Sequence, residues 1–198
     1  METLSKRFGP EGQEEQREQD SFLLQRILKT RSILLSGEIN KMLAERVVRQ
    51  LILLEEESDE AVRVFIDSPG GDADAGFAVF DMMRFIRPEI TTIGMGLVAS
   101  AAAIVLLAAT KENRVSLPNA HYLIHQPLSG IRGVVTEVEI HARELDRLRQ
   151  RITALISEET DQDLTKVEKD TDRDFWMTSQ EALEYGLVSR IIGRRDEL

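Results

Sequence analysis

Three residue types in this chain, met in order, could together attack a carbonyl. They are a serine, Ser100, a histidine, His125, and an aspartate in the late run Lys169-Asp170-Thr171-Asp172-Arg173-Asp174. In such a set the carboxylate orients the imidazole, the imidazole takes the serine proton, and backbone N–H groups hold the oxyanion. The chain order is Ser, His, Asp. That order excludes the usual chymotrypsin and subtilisin arrangements, and Ala99-Ser100-Ala101-Ala102 lacks the Gly-x-Ser-x-Gly elbow of α/β-hydrolases. Physical reasoning alone does not choose among Asp170, Asp172 and Asp174.

Each of these residues also has a plain structural reading. Ser100 stands where the β-like run IGMGLVA meets nine apolar residues, Ala101 to Ala109, which read as a buried helix. A serine at a helix start can simply cap the first turn. It can also be a nucleophile with oxyanion donors beside it. His125 ends the apolar stretch Tyr122-Leu123-Ile124, where a histidine is commonly a satisfied core residue. Ser68-Pro69-Gly70-Gly71 reads as an ordinary turn, or as a loop whose free N–H groups face developing negative charge.

The elements that must position these residues alternate between strand and helix. A short helix is expected over Phe22 to Lys29 and a strand over Ser32 to Leu35. Asn40 caps a helix from Lys41 to Glu55, whose apolar positions Met42, Leu43, Val47, Val48, Leu51, Ile52 and Leu54 make one buried face. The acidic stretch Glu55 to Glu60 is read as a solvated loop. Val62 to Asp67 is a strand, Ala73 to Ile86 a helix stopped by Pro88, and Ile90 to Met95 the strand that delivers Ser100. Val115 to Leu117 is another short strand. A long helix follows, about 134–160, with Val138, His141, Leu145, Leu148, Ile152 and Leu155 as a narrow seam on a charged surface. A short helix lies within Asp161 to Thr171. Thr178 and Glu181 then form a capping box for Ser179 to Tyr185, Gly186 ends that helix, and a last strand runs over Leu187-Val188 and Ile191-Ile192. The pattern is α/β. Residues 1–20 are expected to be a mobile N-terminal segment, and 21–198 a single domain.

Composition narrows the function. With 198 residues and 42% hydrophobic content the chain can build one sizeable core. A net charge of −10 argues against nucleic acid as partner, and the absence of cysteine removes disulfides, thiolate nucleophiles and Cys-ligated zinc. No metal site is expected. The apolar central run is too short and too alanine-rich to span a bilayer, and the N-terminus has no signal-peptide core, so a cytoplasmic protein is expected. Without an entry signal, the final Arg-Asp-Glu-Leu is read as a chance match to a retention tail.

Taken together, Ser-Pro-Gly-Gly at 68–71, Gly-Met-Gly-x-x-Ala-Ser at 94–100, His-Gln-Pro at 125–127, Thr-Glu-Val-Glu-Ile-His-Ala-Arg-Glu at 136–144 and Asp-Thr-Asp-Arg-Asp at 170–174 resemble ClpP, the peptidase subunit of the Clp protease. The resemblance covers roughly residues 21–193, in order and with compatible spacing. It implies the ClpP/crotonase-like spiral of β-β-α units with a projecting handle helix. It also implies a serine endopeptidase that hydrolyses unfolded polypeptides inside a chamber of stacked heptameric rings, a tetradecamer. An AAA+ unfoldase of the ClpX, ClpA or ClpC type would feed it and spend the ATP, so the subunit itself would bind no cofactor. By the same resemblance Ser100 is the nucleophile, His125 the general base and Asp174 the third member. Gly71 and Ala101 match the oxyanion donors, and Asp172 and Arg173 match residues that pair between rings. The handle seam, with Leu145 and Leu148, suits a ring–ring contact. Arg63 and Phe65 match the face that receives the unfoldase.

Three departures from the family pattern stand out. Ala101 follows the nucleophile where methionine is usual, Arg63 stands where many members carry an aromatic residue, and the N-terminal segment differs. They suggest a divergent paralogue, one suited to a mixed ring with a second ClpP subunit. Two rival readings differ in class. One is a structural or low-activity ClpP paralogue, against which the complete Ser-His-Asp set argues. The other is a crotonase-type acyl-CoA enzyme, which has no use for that set.

Overall fold

The computed structural model describes residues 22–198. The segment 1–20 that was expected to be mobile lies outside the described residues. Residues 22–28 form helix α1. Then come β1 (Ser32–Ser36), α2 (Lys41–Glu57), β2 (Val62–Ser68), α3 (Ala73–Phe85), β3 (Ile90–Ala99), α4 (Ala101–Leu106), β4 (Arg114–Ser116), β5 (His121–Ile124), α5 (Val135–Thr160), α6 (Leu164–Asp170), β6 (Phe175–Thr178), α7 (Ser179–Tyr185) and β7 (Arg190–Ile191). Strands β1, β2, β3, β4 and β7 lie side by side in that order, all parallel. Strand β3 leaves β4 and pairs β5 along its second half, and β6 adds antiparallel to β5.

The alternation of a pleated strand explains how the sheet buries itself. Val62, Val64 and Ile66 of β2 are fully buried in the main core against α2, α3 and α4, whereas Arg63, Phe65 and Asp67 point to the other face. On that face Phe65 and Leu117 join a small satellite cluster with Ile93, Val115 and Ile192. Asn40 caps α2 through Leu43 N–H at 2.9 Å, and Asp72 caps α3 through Ala75 N–H at 2.7 Å.

Several boundaries differ from expectation. Helix α2 runs through Glu57, so half of the acidic stretch is helical and Ser58 is its cap. Strand β3 runs to Ala99 instead of ending at Met95, because the Asp67 carboxylate accepts the Leu97 N–H at 3.0 Å and carries the strand across its bulge. The last strand is only Arg190–Ile191, while Leu187 and Val188 pack as buried coil.

The central helix stops at Leu106, three residues short of the apolar run. The cause is an ionic cluster in which Arg114 and Glu159 are buried and Arg84 closes the outer side. Arg114, 1% exposed, donates to the carbonyls of Leu107 and Ala109, and Arg84 donates to those of Leu107 and Ala108. Both guanidinium groups also bind the Glu159 carboxylate at the base of α5. Carbonyls that would have continued the helix are thus satisfied by arginine. Burial lowers the Arg114 pKa and the Glu159 charge partly opposes that shift.

Candidate active site

Ser100 is set at the turn from β3 into α4 with φ 56° and ψ −122°, a region that costs a non-glycine residue roughly 1–3 kcal/mol. Its N–H donates to Leu123 C=O at 2.8 Å, which ties the turn to the end of β5. The hydroxyl makes no capping hydrogen bond to α4, so the simple cap reading does not hold. Ser100 Oγ lies 2.8 Å from His125 Nε2, and His125 Nδ1 lies 3.0 Å from Asp174 Oδ1.

Register explains the pairing. In the antiparallel β5–β6 ladder Ile124 faces Phe175, so His125 and Asp174 are the next pair outward. The other two aspartates of the run are engaged elsewhere. Asp170 Oδ2 accepts from Lys166 Nζ at 2.8 Å and from the Tyr185 hydroxyl at 3.1 Å. Desolvation, reinforced by the Asp170 charge, raises the Tyr185 pKa, so that phenol stays a donor. Asp172 sits beside Gln126, with Arg173 at 4.0 Å and both side chains largely exposed.

The Ser-Pro-Gly-Gly loop closes on the serine from the other side. Gly70 has φ 87°, and a Cβ there would lie 2.6 Å from Ser100 Cβ and 2.9 Å from Ala101 N. Only glycine permits that approach. The neighbouring Gly71 pairs with Ile39, which engages the Gly70 carbonyl and the Asp72 N–H. Among the described residues neither the Gly71 N–H nor the Ala101 N–H has a backbone acceptor. Both residues line the cleft at Ser100. Further below, the Tyr122 hydroxyl donates to Ser116 Oγ at 2.7 Å and fills the space a side chain at Gly94 would take. Burial pushes that phenol up to about 12, so it remains a neutral donor that ties β5 to β4.

The cleft holds about 860 Å³ and is walled on its far side by α5. Leu145 and Leu148 face into it, beside Ile104 and Ile152. His141, another seam residue, bonds the loop hydroxyl of Ser129 at 2.7 Å through Nε2. Within the single chain, His141, Leu145, Leu148 and Ile152 of the seam thus border the cleft. The exposed apolar side chains at the start of the handle are Val134, Val135, Val138 and Ile140, of which Val138 continues the seam. Arg63 and Phe65 lie in the first half of β2, half-buried, with Arg63 Nη1 3.4 Å from Thr30 C=O. Among the described residues no group of three or more His, Asp or Glu is placed to hold a metal, and no helix is long and apolar enough to cross a membrane.

Sequence reasoning missed three features of this region. The ionic cluster of Arg84, Arg114 and Glu159 joins residues 75 apart and leaves no local signature. The pairing of Phe175 to Thr178 with β5 was not anticipated, since four apolar-rich residues carry no strand period. The third is Gln126, which bonds Thr171 and Asp172; its signal was its place beside His125 in His-Gln-Pro.

An α/β chain that lines up a serine, a histidine and a carboxylate beside two uncommitted backbone donors has the build of a serine hydrolase. The Clp protease family model matches residues 13–195. The chain is 60% identical over 180 residues to the ATP-dependent Clp protease proteolytic subunit 2 of Treponema denticola, covering 90% of each. It is 43% identical over 176 residues to the proteolytic subunit 2 of Pseudomonas aeruginosa, covering 89% of this chain and 88% of that one. A solved mutant ClpP1 from Listeria monocytogenes superimposes with a TM-score of 0.83 at 48% identity, covering 88% of this chain and 98% of its own. The chain belongs to the Clp protease family and is a serine-type peptidase with the ClpP fold.

Proposed function

We propose that the chain is the endopeptidase subunit of a self-compartmentalised Clp protease, with Ser100, His125 and Asp174 as its catalytic triad. The observation that carries this reading is the unbroken hydrogen-bonded line from Ser100 Oγ through both imidazole nitrogens to Asp174. His125 Nε2 takes the Ser100 proton as Oγ attacks the scissile carbonyl. The oxyanion is received by the N–H groups of Gly71 and Ala101. His125 then returns the proton to the leaving amine, and water hydrolyses the acyl-enzyme by the reverse sequence. Asp174 holds the imidazole in the tautomer that presents Nε2 to the serine and stabilises its charged form. Leu145 and Leu148, in the cleft wall, receive an apolar side chain of the substrate.

Family membership supports the assembly and the partners. The subunit stacks as two heptameric rings in the cytoplasm, and an AAA+ unfoldase delivers unfolded polypeptide at the expense of its own ATP. Asp172 and Arg173, exposed on the loop before β6, pair between rings. The apolar seam of the handle, with Leu145 and Leu148, makes the apolar part of that contact, joined by the exposed Val138. The face carrying Arg63 and Phe65 meets the unfoldase. The relatives are named as proteolytic subunit 2 or 3, which supports a ring shared with a second proteolytic subunit.

Substitution at the nucleophile tests the chemistry. Ser100→Ala is expected to keep the melting temperature and particle size and to lose both peptide hydrolysis and labelling by a fluorophosphonate. Labelling that persists in the variant would refute the assignment.

A further inference from the structure

We infer that Gln126 is a positioning residue that clamps the loop carrying Asp174, and so sets the third member of the triad; the inference rests on the triad reading above. The Asp174 side chain is 61% exposed, whereas that of His125 is 16% exposed. A carboxylate so open to water is not held by packing. It must be held through its own backbone, and residues 171–174 form a turn and coil between α6 and β6.

Gln126 supplies that hold twice. Its main-chain N–H donates to Thr171 C=O at 2.7 Å. Its side-chain Nε2 donates to Asp172 C=O at 2.8 Å and to Asp172 Oδ1 at 3.3 Å. Together with the β-ladder pair Ile124–Phe175, these bonds fix the loop at both ends of the segment that presents Asp174. Because Gln126 directly follows His125, the base and the carboxylate are referenced to the same two residues of chain. A carbonyl oxygen can only accept, so the side-chain clamp needs an amide nitrogen at this place. Loosening it would let Asp174 drift from His125 Nδ1, and misplacement by about 1 Å of a catalytic group costs on the order of 100-fold in rate.

The experiment uses the full chain in its assembled form, a short fluorogenic peptide, and four proteins: unaltered, Gln126→Met, Asp174→Asn and the double variant. Methionine keeps the length and volume of the side chain and removes its donor. Gln126→Met is expected to lower kcat about 10- to 100-fold with KM changed less than about twofold, and to leave particle size unchanged. The decisive readout is the double variant. If Gln126 acts through Asp174, adding Gln126→Met to Asp174→Asn lowers kcat no further. Gln126→Glu, which sets a carboxylate against Asp172, is expected to lower kcat more than Gln126→Met does. Unchanged kcat in Gln126→Met, or losses that multiply in the double variant, would overturn the inference. Loss of the assembled particle in both Gln126 variants would also overturn it, because the residue would then hold the assembly and not the aspartate. Failure of the triad reading is distinguishable, since it appears as full activity in Asp174→Asn alone, where Gln126 is untouched.

Discussion

The role of each aspartate in the late run follows from what its carboxylate is already committed to. Asp170 is spent on Lys166 and Tyr185, and Asp174 is turned to His125. Asp174→Asn is therefore expected to cut kcat by about 10⁴-fold, as removal of the orienting carboxylate does in triads of this kind, and Asp170→Asn by far less. Steady-state hydrolysis of a fluorogenic peptide checks the pair, and a larger loss from Asp170→Asn would reverse the assignment. Gly70 gives a second test. A Cβ there would meet Ala99 O at 2.5 Å and Ser100 Cβ at 2.6 Å, both too close to be relieved by a side-chain rotation. Gly70→Ala is expected to displace Ser100 and abolish fluorophosphonate labelling while the far-ultraviolet circular dichroism is retained.

Among the elements, the most informative is the short central helix with the ionic cluster at its end. Arg114 and Glu159 are buried, and removal of one partner leaves an uncompensated charge inside. Glu159→Ala is expected to cost about 3–5 kcal/mol. At roughly 2–4 °C per kcal/mol for a chain of this size, the thermal midpoint should fall by about 6–20 °C. A calorimetric midpoint within a degree or two of the unaltered protein would contradict that. This cluster also marks where the sequence stopped being legible. The core of the α2 face at Leu43, Val47, Leu51 and Leu54, the capping box at Thr178 and Glu181, and the end at Gly186 follow from local spacing and were readable, although Met42 and Ile52, expected on that face, are exposed. The length of α4 depends on arginines brought from two other elements, and β6 exists only because β5 lies beside it. The site divides in the same way. Ser100 and His125 stand out by their positions at element ends, whereas the choice of Asp174 among three aspartates is fixed by the β5–β6 register. That register pairs residues about fifty apart and cannot be seen in local pattern; the family resemblance pointed to Asp174 without it.

For the whole molecule the two long faces of the chain make separable predictions. Val138 is 38% exposed in the seam near the start of α5, and Leu148, further along the seam, lines the cleft. Val138→Glu is expected to shift the particle to half its mass in analytical ultracentrifugation; Leu148→Glu, in the seam and in the cleft wall at once, is expected to do the same and to raise KM for apolar peptides. On β2, Arg63 shares a face with Phe65 and reaches toward Thr30. If this face receives an apolar segment of the unfoldase, as proposed above, a guanidinium on it forfeits apolar area and is partly desolvated, each costing about 1–2 kcal/mol. Arg63→Tyr is expected to strengthen unfoldase binding about tenfold or more in interferometry. Tight binding by the unaltered protein with no gain in the variant would count against that use of the face. The central claim, that Ser100 is the residue that attacks, is tested most directly by mapping a fluorophosphonate adduct by peptide mass spectrometry on the assembled protein. The account predicts one adduct per chain, on Ser100; an adduct on Ser129 or another serine, with Ser100 unmodified, would contradict it.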